Sequence, residues 1–145
     1  GSVQLYPGSP NVVPGQCVFT LEVRDTDQEV LDRLEKVYYK SLHEMAEKIG
    51  LTVSINPLSA IQATPCSPEI VQQISDIAEK QKLDYLVMPS GAAHDSQNMA
   101  KITPTSMIFV PSIGGVSHSP DEATSLQDIE KGTNLLKSVL LELAL

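Results

Sequence analysis

Two short, unbroken apolar runs most constrain what this chain can fold into: residues 85–88 (Tyr-Leu-Val-Met) and 106–110 (Ser-Met-Ile-Phe-Val). A strand with one wet face alternates apolar and polar residues. A continuous run predicts a strand covered on both faces, as in parallel layered sheets. Each run leads into a loop of small residues that carries one histidine. The first is Ser90-Gly-Ala-Ala-His-Asp-Ser-Gln97 and the second Pro111-Ser-Ile-Gly-Gly-Val-Ser-His-Ser-Pro120. Loops at the ends of such strands are where layered α/β folds place ligands and catalytic groups.

Helix signals surround these runs. Ser67-Pro68 is an N-cap with proline at the first helical position, and Ile70, Val71, Ile74, Ile77 and Ala78 recur at helical spacing to about Gln81. A second helix is predicted from about Ala93 to Ile102. A third runs from about Ser125 to Ala144, with Leu126, Ile129, Leu135, Leu136, Val139, Leu140 and Leu143 inward. The first third of the chain is different. Residues 3–6 and 17–24 alternate as half-buried strands, separated by a turn with three prolines and two glycines. Thr26-Asp-Gln-Glu29 is a capping box for a helix that Gly50 would end, and residues 51–55 read as a third strand. The aperiodic stretch 56–66 holds the boundary, placed between residues 57 and 58.

The fold class is therefore α/β. A strand-strand-helix-strand layer of α+β type occupies 1–57, and an α-β-α-β-α portion of a layered sheet occupies 58–145. Two or three strands with one or two helices make a thin core for either part. Each reads as a fraction of a domain, completed by further polypeptide or by a second copy.

Composition excludes several partners. The formal charge is −8 and no Lys/Arg cluster occurs, which argues against nucleic acid and anionic membranes. No apolar run approaches the roughly 18 residues of a membrane span. Cys17 and Cys66 are too few for a disulfide framework and fit a reducing, cytoplasmic compartment.

Few residues can carry chemistry. His118 is a candidate metal ligand, because neutral imidazole coordinates divalent ions readily; a locally hydrogen-bonded loop histidine is the competing reading. Gly114 and Gly115 permit positive φ beside it. Glu122, four residues on, could orient the His118 ring. His94 and Asp95 open a helix, where Asp95 could simply stabilise the N-terminus. Arg24 can grip a carboxylate bidentately, with Asn11 adding a hydrogen bond, although an ion pair of Arg24 with Glu22 or Asp25 and an Asx-turn at Asn11 serve equally well. His43, on the polar side of its helix, reads as solvated. No Gly-x-Ser-x-Gly elbow or other nucleophile arrangement is present.

Taken in order, several segments resemble the C-terminal part of the N-carbamoyl-L-amino acid hydrolase and allantoate amidohydrolase family, dimetal amidohydrolases of the aminoacylase/carboxypeptidase clan. They are Pro10-Asn-Val-Val-Pro-Gly15, Phe19-Thr-Leu-Glu-Val-Arg24, Pro89-Ser-Gly-Ala-Ala-His-Asp-Ser-Gln97, Met107-Ile-Phe-Val-Pro-Ser112 and Gly114-Gly-Val-Ser-His-Ser-Pro-Asp-Glu122. The resemblance implies that residues 1–57 are the latter part of a ferredoxin-like lid that dimerises. It implies that 58–145 are the C-terminal part of a metal-dependent catalytic domain. On that likeness His118 is a metal ligand, and Asn11, Arg24, Gly91, Ala93 and His94 bind substrate, with Asp95 and Glu122 supporting them. The substrate would be a small ureido or carbamoyl acid. The cofactors would be two divalent ions (zinc, manganese or cobalt), none held tightly by this chain. The family's other metal ligands and its catalytic glutamate have no counterpart here. The implied expectation is that the chain alone is inactive, with no catalytic residue of its own. The alternative is a non-catalytic dimerisation or small-carboxylate-binding module derived from the lid. The family's usual Gly-Ala-Gly-His-Asp stands here as Gly91-Ala-Ala-His-Asp95, so Ala93 adds a methyl where backbone and substrate could meet.

Overall fold

A computed structural model of the chain describes residues 1–144. It is a mixed α/β structure that divides into two compact units, Gly1–Ala63 and Thr64–Leu145. In the first, β1 (Val3–Tyr6) and β2 (Gln16–Phe19) pair antiparallel, with Val3 opposite Phe19 and Leu5 opposite Cys17. The Gly15 N–H donates to the Tyr6 carbonyl at 2.9 Å and closes the intervening loop. β2 is shorter than the alternation from 17 to 24 predicts. The ladder ends at the pair Val3–Phe19, and no β1 residue lies opposite Leu21, Glu22, Val23 or Arg24.

Helix α1 (Gln28–Lys48) follows. Its cap is Asp27 rather than Thr26: the Asp27 carboxylate accepts from the Glu29 N–H at 2.8 Å. Asp25 accepts in turn from the Asp27 N–H at 2.9 Å, so the chain enters the helix one residue later than the capping-box spacing implies. At the other end Gly50, at φ 71°, makes a Schellman stop. The Gly50 N–H donates to Glu47 at 3.1 Å and the Leu51 N–H to Ala46 at 2.8 Å.

The second unit is built on two helices. The Ser67 hydroxyl caps α2 (Pro68–Lys80) at the Ile70 N–H, with Pro68 at the first turn. Lys82 takes a left-handed φ of 56° after it, and its N–H reaches Glu79 while the Leu83 N–H reaches Ala78. This second Schellman stop uses lysine where glycine is cheaper in backbone strain. Helix α3 is a single turn, Ser96–Met99, shorter than the span from about 93 to 102 that the sequence suggests. Ser125 caps α4 (Leu126–Leu143). The core lies where Ile77 and Ala78 of α2 meet Leu135 and Val139 of α4, with Ile74, Leu83 and Ile108 packed against it. Gly132 lets α4 approach residue 110 closely, since a Cβ there would stand 2.5 Å from Val110 Cγ1.

Three expected strands do not form. Residues 51–55, 85–88 and 106–110 have no ladder partner among the described residues. Apolar continuity specifies that a segment wants cover on both faces, whereas a strand also needs a neighbour to accept and donate backbone hydrogen bonds. Segment 106–110 is partly anchored through Ile108, but Leu86 and Met88 stay 77% and 64% exposed. The chain exposes 11860 Å², against about 8,800 Å² for two separate compact domains of half its mass. Much apolar surface is therefore uncovered. None of the described helices is long and apolar enough to cross a membrane.

Candidate functional site

The loop after residue 110 is tightly stapled. The Ser112 hydroxyl donates to the Val116 carbonyl, and the Ile113 N–H donates to the Ala123 carbonyl at 2.8 Å. Ile113–Gly115 forms one short helical turn, with Gly114 and Gly115 at φ 66° and 69°. These staples hold His118 in a left-handed conformation, φ 56°, which costs a non-glycine residue of the order of 1 kcal/mol or more. Glu122 supports that conformation: its carboxylate accepts from the His118 backbone N–H at 2.8 Å. The contact is to the backbone amide, whereas the spacing suggested a contact to the ring. The His118 side chain is exposed.

The loop after residue 88 builds a second histidine site. The His94 ring Nε2 lies 2.9 Å from the Ser90 hydroxyl, which also accepts from the Ala92 N–H at 3.3 Å. The ring tilts 58° against Phe109 at a centroid distance of 5.4 Å. The His94 backbone N–H donates to the Gln97 side-chain oxygen at 3.2 Å. Ser96 donates to the Met107 sulfur at 2.9 Å, tying the same turn to segment 106–110. Asp95 occupies the N-cap position of α3 without a side-chain capping bond. Positive φ among the described non-glycine residues falls at Lys82 and His118, so the methyl of Ala93 meets no left-handed strain. A Cβ at Gly91 would have no neighbour within 4 Å.

The sequence singled out His94 but not the groups that hold it. Ser90, at i−4, was legible from spacing; Phe109 was not, because it lies on a different segment.

In the first unit Arg24 Nε and Nη2 both reach Glu22 Oε1, at 2.7 and 2.6 Å, in an exposed ion pair. This is one of the two pairings the sequence allowed. Asn11 is exposed in the turn between β1 and β2. His43 Nδ1 lies 2.8 Å from the Tyr39 carbonyl one helical turn back, at an exposed position.

Among the described residues, no three His, Cys, Asp or Glu side chains gather as a metal site. The donor set of the described residues does not by itself fit a two-metal centre; His118 offers one imidazole.

Comparison with known proteins extends these observations. The model of the family "Peptidase family M20/M25/M40" matches residues 4–142. The chain is 36% identical over 144 residues to the allantoate amidohydrolase of Escherichia coli K12, covering 99% of this chain and 35% of that protein. It is 37% identical over 146 residues to an N-carbamoyl-L-amino acid amidohydrolase of Geobacillus stearothermophilus, again covering 99% and 35%. Among solved structures, an amidase of the hydantoinase/carbamoylase family from Burkholderia multivorans superimposes with a TM-score of 0.92 at 32% identity, over 98% of this chain and 34% of that one. The chain thus spans about a third of the length of these relatives.

Proposed function

The chain belongs to peptidase family M20/M25/M40, and from that premise we propose that it forms part of a metal-dependent amidohydrolase cleaving a ureido or carbamoyl C–N bond. The observation that carries this reading is near-complete coverage of the chain by relatives named for allantoate and for N-carbamoyl-L-amino acids. In the proposed reaction water adds to the carbamoyl carbon, the C–N bond breaks, and the departing nitrogen takes a proton. His118, with ligands from outside these residues, would hold a divalent metal such as zinc, manganese or cobalt, which would supply Lewis-acid chemistry when bound.

The residues of this chain bind and orient. Arg24 receives the substrate carboxylate by releasing Glu22. The exchange is inexpensive, because an exposed ion pair is worth about 0–1 kcal/mol. Asn11 adds a hydrogen bond, and the two together hold the substrate carboxylate at the site of a partner subunit. His94 meets the polar end of the substrate beside Gly91 and Ala93, with Asp95 behind it. His118, supported by Glu122, brings one metal-binding imidazole. Residues 1–57 act as the latter part of a lid that dimerises, and 58–145 as the C-terminal part of the catalytic domain. The compartment is cytoplasmic.

The chain alone is proposed to be inactive. With zinc, manganese or cobalt and either allantoate or N-carbamoyl amino acids, it should show no turnover. A chimera in which it replaces the matching third of the Escherichia coli relative should hydrolyse one of these substrates. His118→Ala in that chimera should cost more than the roughly 10–100-fold typical of losing a group that merely supports a metal ligand. A folded chimera whose activity ignores His118→Ala overturns the assignment.

A second reading is a small-carboxylate-binding module that works without metal. It rests on Asn11 and Arg24 both belonging to the unit Gly1–Ala63, a different unit from that of His94 and His118. Carboxylate titration separates the two: binding by the chain alone that survives chelator and vanishes in Arg24→Ala supports the module.

A further inference from the structure

Two contacts reach the His94 ring, and two more hold the backbone turn that carries it. Ser90 Oγ lies 2.9 Å from Nε2 and accepts the Ala92 N–H at 3.3 Å. Phe109 packs against the ring at 5.4 Å. Gln97 holds the backbone of the same residue. The turn itself is pinned to segment 106–110 through Ser96 and Met107. A serine hydroxyl has one proton to give and two lone pairs to receive with. One lone pair is taken by the Ala92 amide, and the imidazole nitrogen at 2.9 Å can accept the remaining proton.

We propose that Ser90 is a positioning residue that fixes His94 as the tautomer protonated on Nδ1, with Nε2 accepting from the Ser90 hydroxyl. Phe109 packs against the ring at 5.4 Å and favours the orientation that the Ser90 contact selects. His94 then meets a ligand as a hydrogen-bond donor through Nδ1 and does not act as a base through Nε2. An oxygen acceptor, such as the carbonyl of a ureido or carbamoyl group, is the chemistry this nitrogen recognises. The ligand class rests on the amidohydrolase reading, whereas the tautomer rests only on the geometry around Ser90. Two histidines of one chain are thereby separated by their loops: His118 is held through its backbone with the ring exposed, and His94 is held through the ring.

The test needs no substrate. In the intact chain with 15N-labelled histidine, the ring nitrogens of His94 report the tautomer directly through their chemical shifts and couplings to ring protons. At a pH where the ring is neutral, Nδ1 should carry the proton and Nε2 should show the shift of an acceptor. Ser90→Ala should move the ring towards the Nε2-protonated form, and Ser90→Thr, which keeps the hydroxyl, should restore the wild-type pattern. A wild-type spectrum with the proton on Nε2 overturns the proposal outright, whatever the variants do. A folded Ser90→Ala chain with an unchanged tautomer also overturns it. Absence of turnover in the chimera described above would remove the hydrolase reading and leave this result standing.

Discussion

The two units share a construction method and differ in what they bury. Both begin their principal helix with an oxygen cap, at Asp27 and at Ser67, and both end it with a Schellman stop, at Gly50 and at Lys82. In the first unit Ala46, at 8% exposure, is the buried residue among those described, while Val3, Phe19 and Ile49 stand 69%, 49% and 70% exposed. The second unit brings Ile77, Ala78, Leu135 and Val139 together. Local hydrogen bonds can place helices in either unit, but a core requires two elements facing each other, and only α2 and α4 do so among the described elements. This contrast supports the proposal that residues 1–57 depend on a partner surface for stability more than 58–145 do.

The largest effect expected from this difference is at the α2–α4 contact. Leu135→Ala should destabilise the second unit by about 2–5 kcal/mol. Phe19→Ala, at a half-exposed ladder position, should cost only about 1 kcal/mol. Chemical denaturation followed separately for the two units would measure both, and equal losses would erase the contrast. Next is Gly132→Ala. The new methyl would stand 2.5 Å from Val110 Cγ1, an overpacking of about 1–3 kcal/mol set against a gain of about 1 kcal/mol in helix propensity. A net loss is expected, and Val110→Ala should recover it in a double-mutant cycle.

Smaller and more even effects belong to the caps. Ser67→Ala and Asp27→Ala should each cost about 1 kcal/mol. Near equality would show that local signals are as strong in the poorly buried unit as in the other, and a much larger loss at Ser67 would show that the cap also orients the core. The smallest effect concerns Tyr85. Its phenol donates to Glu79 at 3.0 Å, and this hydrogen bond, ahead of desolvation, raises its pKa above the usual 10.0. A group with a raised folded pKa contributes stability below its unfolded pKa and loses it as pH rises through the folded value. A slight decline in stability above about pH 10 should therefore be weaker in Glu79→Gln, as alkaline titration of unfolding would reveal.

Much of the helical framework was legible. Ser67-Pro68 marked the start of α2, and Gly50 marked the end of α1, because caps act within a few residues and carry their own chemistry. Thr26 was the wrong cap by one place, since Asp27 next to it offers a carboxylate to the same first-turn amides. The Lys82 stop had no glycine to announce it. The runs at 85–88 and 106–110 were legible as apolar and illegible as unladdered. Around the candidate site, His94 and His118 stood out by their small-residue loops, and Gly114-Gly115 foretold positive φ beside His118. Glu122 was recognised as a neighbour of His118, but its contact with the backbone amide depended on the left-handed turn that the loop staples impose.

What the sequence determined by itself was whatever needs only neighbours a few residues away: the ends of α2 and α4, the stop of α1, the β1–β2 hairpin, and the glycine turn before His118. Tertiary structure alone decided which apolar stripes became core and which stayed exposed, and that Phe109 meets His94 across fourteen intervening positions. The physical reason is that short-range hydrogen bonds close small loops at little entropic cost. Long-range contacts must instead overcome the ordering of everything between them, and they form only where a facing surface exists to reward it.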